Sequence, residues 1–187
     1  MPKKNIVAVL MIFLTLIVLV SGCTQQQPLT ELSIPGHGNE IYTFSNDIRE
    51  SLLVKTNDPQ GIKNTGLSLQ HVNIVFNGSN KQDNGYFSAV LVSMINKVSL
   101  YYAYEGRIIY FDSYYFLDDK WYNSTNEMIE KPGLSDTILW LKGPATGANE
   151  TSLQLVDNTI YLSGTDYKGL TLAGDKLVLL FFGIEKI

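Results

Sequence analysis

Residues 72–116, VNIVFNGSNKQDNGYFSAVLVSMINKVSLYYAYEGRIIYFDSYYF, set two runs of β-branched and aromatic residues on either side of one long amphipathic run. Phe87, Leu91, Met94, Ile95, Val98 and Tyr102 fall at i, i+4, i+7, i+8, i+11 and i+15, which is one apolar stripe of a helix. Asp83 or Asn84 can cap that helix, and Gly106 ends it. Val72–Phe76 reads as a buried strand closed by Asn77-Gly78. Arg107–Phe116 carries apolar and aromatic residues on both faces, the pattern of an interior strand. Strand, helix, strand in this order is a βαβ unit if the strands are parallel, and such crossovers are right-handed.

Working outward, residues 117–136 are polar and broken by Asn-Ser-Thr and Pro-Gly, so they read as a long surface loop. Thr137–Lys142 is a further strand. Leu153–Val156 and Thr159–Ser163 flank Asp157-Asn158, a two-residue turn suited to a hairpin. From about Asp166 a last helix places Leu170, Ala173, Leu177, Leu180, Phe181 and Ile184 on one face, closing the core. On the amino-terminal side, Ile41–Phe44 and Ser51–Lys55 are short strand candidates around a turn or single helical turn opened by Ser45 and Asp47. Asp58-Pro59 is an N-cap followed by proline at the first helical position, starting a helix over 59–67. The expected class is α/β: a single domain with a mixed, partly parallel sheet and two long amphipathic helices.

The amino terminus carries an address instead of a fold. Lys3-Lys4 precede an apolar run from Ile6 to Val20, broken only by Thr15 and followed by Val20-Ser21-Gly22-Cys23. A basic start, a short apolar stretch and small residues before a cut describe a secretory signal, and the run is short for ~30 Å of hydrocarbon. Val20-Ser21-Gly22-Cys23 resembles the lipobox of prokaryotic lipoproteins. That resemblance implies cleavage before Cys23 and a thioether-linked, two-chain lipid on it, enough for stable anchoring where one chain is marginal. Cys23 is the single cysteine, so no internal disulfide exists. The expected division is a signal peptide over 1–22, lipidated Cys23 with a flexible tether to residue 40, and a globular domain over 41–187.

Loss of Lys3 and Lys4 with the signal deepens the formal net charge from −4 to about −6, which argues against nucleic acid and against a polybasic membrane patch. The expected partners are therefore the membrane, through Cys23, and an envelope protein or neutral polar ligand.

No clear catalytic signature occurs. His37-Gly38-Asn39-Glu40 sets an imidazole and a carboxylate three residues apart, yet the only other histidine is His71, too little for a local zinc ligand set. The loop Asn77, Ser79, Asn80, Asp83, Asn84 is rich in oxygen but has one charge, unlike a calcium loop. Residues 142–149 follow a strand and contain glycines without the Gly-Lys-Ser/Thr ending of a phosphate-binding loop. No metal and no cofactor is expected. Paired carboxylates for glycoside hydrolysis would come from Asp112, Asp118, Asp119, Glu127 and Glu130, with Asp118-Asp119 read mainly as solvated charge.

Geometry offers a better candidate. If the strands 72–76 and 137–142 are parallel neighbours, the loops after them leave the same carboxyl edge, where open α/β sheets bind ligands. Asn77, Ser79, Asn80, Asp83, Thr146, Asn149 and Thr151 would then face one crevice suited to a neutral polar ligand. Tyr101, Tyr102, Tyr104, Tyr110, Tyr114 and Tyr115 read mainly as packing residues, whereas Trp121 and Tyr122, in the loop, are candidates for sugar stacking or docking. Asn77, Asn123 and Asn149 head N-glycosylation sequons in expected loops.

IYTFSNDIRESLLV, TILWLKGPATGANETS and GLTLAGDKLVLLFFGI resemble archaeal surface lipoproteins that carry no assigned activity. The expected role is a lipid-anchored extracytoplasmic protein at the cell membrane that works as a non-enzymatic binding or interaction module. An envelope structural component and an enzyme acting on surface polysaccharide are the alternatives.

Overall fold

The computed structural model describes residues 27–132 and 136–187; Cys23 and the signal lie outside them. Ten strands and four helices are described: β1 Glu31–Ser33, β2 Ile41–Thr43, α1 Ile48–Leu52, β3 Lys55–Thr56, α2 Pro59–Ser68, β4 His71–Asn77, α3 Lys81–Tyr104, β5 Tyr110–Leu117, β6 Lys120–Asn123, β7 Met128–Ile129, β8 Thr137–Lys142, β9 Ser152–Val156, β10 Thr159–Ser163 and α4 Tyr167–Phe181. Strands β3 to β10 form one sheet in the order β3-β9-β10-β8-β4-β5-β6-β7. The pairs β10–β8, β8–β4 and β4–β5 are parallel, while β9–β10, β5–β6 and β6–β7 are antiparallel. The domain is thus α/β with a mixed sheet and two long helices.

Side chains of paired residues in neighbouring strands point to the same face, so the registers sort the sheet into two surfaces. Val72, Phe111, Leu139, Leu141, Ile160 and Leu162 share one face with the buried side chains of α1, α2, α3 and α4 in a single apolar cluster. Helix α4 is central to that layer and meets α1, α2 and α3. It is buried nearly all round, Val178 and Leu179 included, beyond the single stripe that periodicity indicates. With all described helices on one side, the described residues form two layers and leave one sheet face bare.

The turns follow local chemistry. Asn80, not Asp83 or Asn84, caps α3 by accepting from the backbone N–H groups of Gln82 and Asp83, which starts the helix earlier than the apolar stripe suggests. Gly106 then supplies a φ of 71° just past its end. Asp58 and Asp166 cap α2 and α4.

Three expectations are corrected. Ser51–Lys55 is not one strand: Asp47 caps a helical turn through Leu52, leaving only Lys55–Thr56 extended. Residues 117–136 are not one long loop, because Asp118 and Asp119 adopt φ of 50° and 60° in a two-residue hairpin turn that returns the chain as β6. Strand β5 is not buried on both faces; it starts at Tyr110 and none of its residues is fully buried.

The segment expected as a tether is described from residue 27 and is built into the fold. Leu29, Leu32 and Ile34 pack against the core, and Glu31–Ser33 pairs with Ile41–Thr43. His37 is 3% exposed, stacked on Tyr104 at 5.0 Å, with Nδ1 2.8 Å from the Tyr42 hydroxyl and Nε2 3.1 Å from a Glu105 carboxylate oxygen. Three spaced apolar residues suffice to dock the arm, too few to register as a periodic element.

Candidate functional site

The two polar loops do meet at the carboxyl edge of β4 and β8, which are parallel neighbours. Asp83, with no exposed surface, accepts at Oδ2 from the Thr146 hydroxyl at 2.8 Å and the Ala145 N–H at 3.1 Å. Gly143 lies so close that a Cβ on it would sit 2.4 Å from Asp83 Oδ2, so only glycine admits this approach. The hydrogen-bonding groups are largely used internally. Asn77 Oδ1 accepts from the Ser79 N–H, Asn80 caps α3, and Thr146 Oγ1 also accepts from the Gly143 N–H. The loops join here as a brace, with Asn149 exposed outside it and Thr151 partly buried against Gly169.

The bare sheet face carries a different set. Tyr110, Asp112, Tyr114 and Phe116 of β5 share it with His71, Asn73 and Val75 of β4, Trp140 of β8 and Trp121 of β6. Val75 is fully buried although no described helix covers it; Tyr114 and Trp140 flank it in register. Asn73 is buried as well, while the rest are half-exposed or more, Tyr110 being 65% exposed. Tyr115 and Tyr122 stack at 5.0 Å on the opposite face. Tyr101 stacks on Phe182 at 4.2 Å and Tyr102 donates to the Gly66 carbonyl at 2.6 Å, both as packing residues.

At one end of this face His71 bridges two carboxylates, Nε2 lying 2.9 Å from Asp112 Oδ2 and Nδ1 2.9 Å from Asp136 Oδ2. An ionised carboxylate only accepts, so a ring bonded to two of them is held best in its doubly protonated form, which donates from both nitrogens. The bond to Asp136 is the main cause that raises the His71 pKa above its ordinary value, opposed by partial burial and reinforced by Asp112. A groove of about 560 Å³ lies alongside, lined by His71, Asn73, Asp112, Tyr114, Asn123 and Asp136 among others. A second hollow of about 630 Å³, sharing His71 and Asp112 with the first, is lined also by Gln70, Arg107, Ile108 and Tyr110.

The sign of the pH effect follows from the raised value. The clamp contributes fully below the ordinary histidine pKa of about 6.5 and is lost as pH rises through the higher folded value. A His71→Gln variant is therefore expected to melt below wild type at pH 5, with the gap closing as the pH is raised above neutrality. Proton NMR titration of His71 checks the cause: Asp136→Asn should lower its pKa, and an unshifted midpoint would contradict the clamp.

The remaining carboxylates do not join this centre. Asp118 and Asp119 form the β5–β6 turn, Glu127 is held by the Asn123 amide at 2.9 Å and is shifted to lower pKa chiefly by that bond, and Glu130 is exposed. Among the described residues no group of three histidine, cysteine or acidic side chains can hold a metal ion. Sequence reasoning missed the bridge because His71, Asp112 and Asp136 belong to three segments far apart in the chain. The signal was present in the strand boundaries, since these residues fall within two positions of the starts of parallel strands β4, β5 and β8.

No protein-family model, curated protein or solved structure matches the chain.

Proposed function

We propose that the chain is a lipid-anchored extracytoplasmic binding module that receives a neutral, hydroxyl-rich ligand of the cell envelope on its bare sheet face. The observation that carries this reading is the helix-free face itself, on which the registers place Tyr110, Tyr114, Phe116, Trp121, Trp140 and Tyr161, with a groove beside Tyr114 lined by amide, hydroxyl and carboxylate groups. Aromatic rings that are half-exposed offer apolar area to sugar rings, and the polar groups fix orientation.

The His71 bridge favours binding over hydrolysis. A glycosidase pair needs both carboxyl groups free to face the scissile bond, whereas Asp112 and Asp136 each spend an oxygen on a ring nitrogen of His71. Anchoring rests on the Val20-Ser21-Gly22-Cys23 motif and the long apolar run before it.

Retention of the detergent-solubilised protein on immobilised envelope polysaccharide from the source cells tests the site. Trp121→Ala and Asp112→Asn should each weaken retention about tenfold, ~1.4 kcal/mol, and Asn149→Ala should leave it unchanged. Loss with Asn149→Ala and not with the face variants would place the ligand at the carboxyl-edge loops instead.

A further inference from the structure

The three sequons differ sharply in what their amides are doing. Asn123 has both side-chain atoms engaged: Oδ1 accepts from the N–H groups of Thr125 and Glu127 and from the Thr125 hydroxyl, and Nδ2 donates to Glu127 Oε2 at 2.9 Å. It also lines the groove of the bare face. Asn77 ends β4 in register with Phe116, is partly buried, and holds the Ser79 N–H at 2.9 Å. Asn149 alone is exposed, in the connection between β8 and β9, and among the described residues nothing bonds to its amide.

We infer that the folded domain is N-glycosylated at Asn149 and not at Asn77 or Asn123, an inference that rests on the extracytoplasmic reading above. The donor is an oligosaccharide linked to a polyisoprenyl phosphate or diphosphate. The Asn149 Nδ2 forms a bond to the sugar's C1, the C1–O bond to the phosphate breaks, the amide loses one proton, and the lipid phosphate leaves. No oxidant or metal redox step is required. Transfer at Asn149 breaks no described hydrogen bond. At Asn123 it would cost the Glu127 bond and push a glycan into the groove. At Asn77 it would place a glycan on a partly buried side chain at the end of β4, whose Oδ1 holds the Ser79 N–H.

The test is mass spectrometry of the intact protein and its peptides, purified from its native cells. The Asn149 peptide should carry a glycan mass that Asn149→Gln abolishes, while Asn77→Gln and Asn123→Gln leave the intact glycan mass unchanged. A glycan on Asn77 or Asn123, equal occupancy of all three, or an unmodified chain would overturn the inference. The amino-terminal peptide in the same spectra separates the two readings. A lipidated Cys23 with a bare Asn149 defeats this inference alone, whereas an uncleaved, unlipidated amino terminus defeats the anchoring beneath it.

Discussion

Leu177→Asp is expected to leave the domain unfolded at room temperature. Leu177 has no exposed surface and lies on α4 at the centre of the helical layer, among Ile74, Leu91, Met94, Leu139, Ile160 and Phe181. A carboxylate there meets only apolar atoms, and an unpaired buried charge costs several kcal/mol against a total stability of ~5–15 kcal/mol. Leu91→Asp, on the facing side of α3, should act the same way. Val92→Asp, one position along and 62% exposed, should melt like wild type. Circular dichroism melts of the three variants check this. A wild-type melting temperature for Leu177→Asp, or unfolding by Val92→Asp, would mean that the helix faces are assigned wrongly.

Cys23→Ser should move the protein from the membrane to the aqueous fraction almost completely. The serine hydroxyl cannot take the thioether-linked lipid, and the chain has no second cysteine. On the anchoring proposed above the lipid on Cys23 has two acyl chains, which hold a protein stably where one is marginal, so losing both would leave little affinity from a domain of negative net charge. Detergent-phase partitioning of wild type and variant gives the answer. Unchanged partitioning of the variant, with residues 1–22 retained in both, would make the apolar run itself the anchor.

Much of the architecture was legible because it is written in local patterns. The 3.6-residue period of Phe87 to Tyr102, the β-branched run of β4, the Asp157-Asn158 turn, the cap at Asp58 and the start of the last helix near Asp166 each act within a few residues, and each forms where expected. The parallel pairing of β4 with β8 was also inferable, and it brings the two polar loops together.

Two kinds of feature were not legible. One is a weak element completed by its neighbours. The β5–β6 hairpin depends on two aspartates accepting positive φ, and the arm over residues 27–40 depends on docking by Leu29, Leu32 and Ile34. The other is the question of which sheet face stays bare. Strand β5 is apolar and aromatic on both sides whether or not a second helical layer exists, so Tyr110 and Tyr114 read as packing residues. Only the placement of all four described helices on one side frees them.

The central claim is that this face is open and takes the ligand, and the chain's two tryptophans report on it directly because Trp121 and Trp140 both lie there. The deciding measurement is acrylamide quenching of their fluorescence, with and without the envelope polysaccharide. The account predicts ready quenching in the free protein and marked protection at saturating polysaccharide. Blue-shifted emission that resists quenching in the free protein, or quenching that the polysaccharide leaves unchanged, would contradict it.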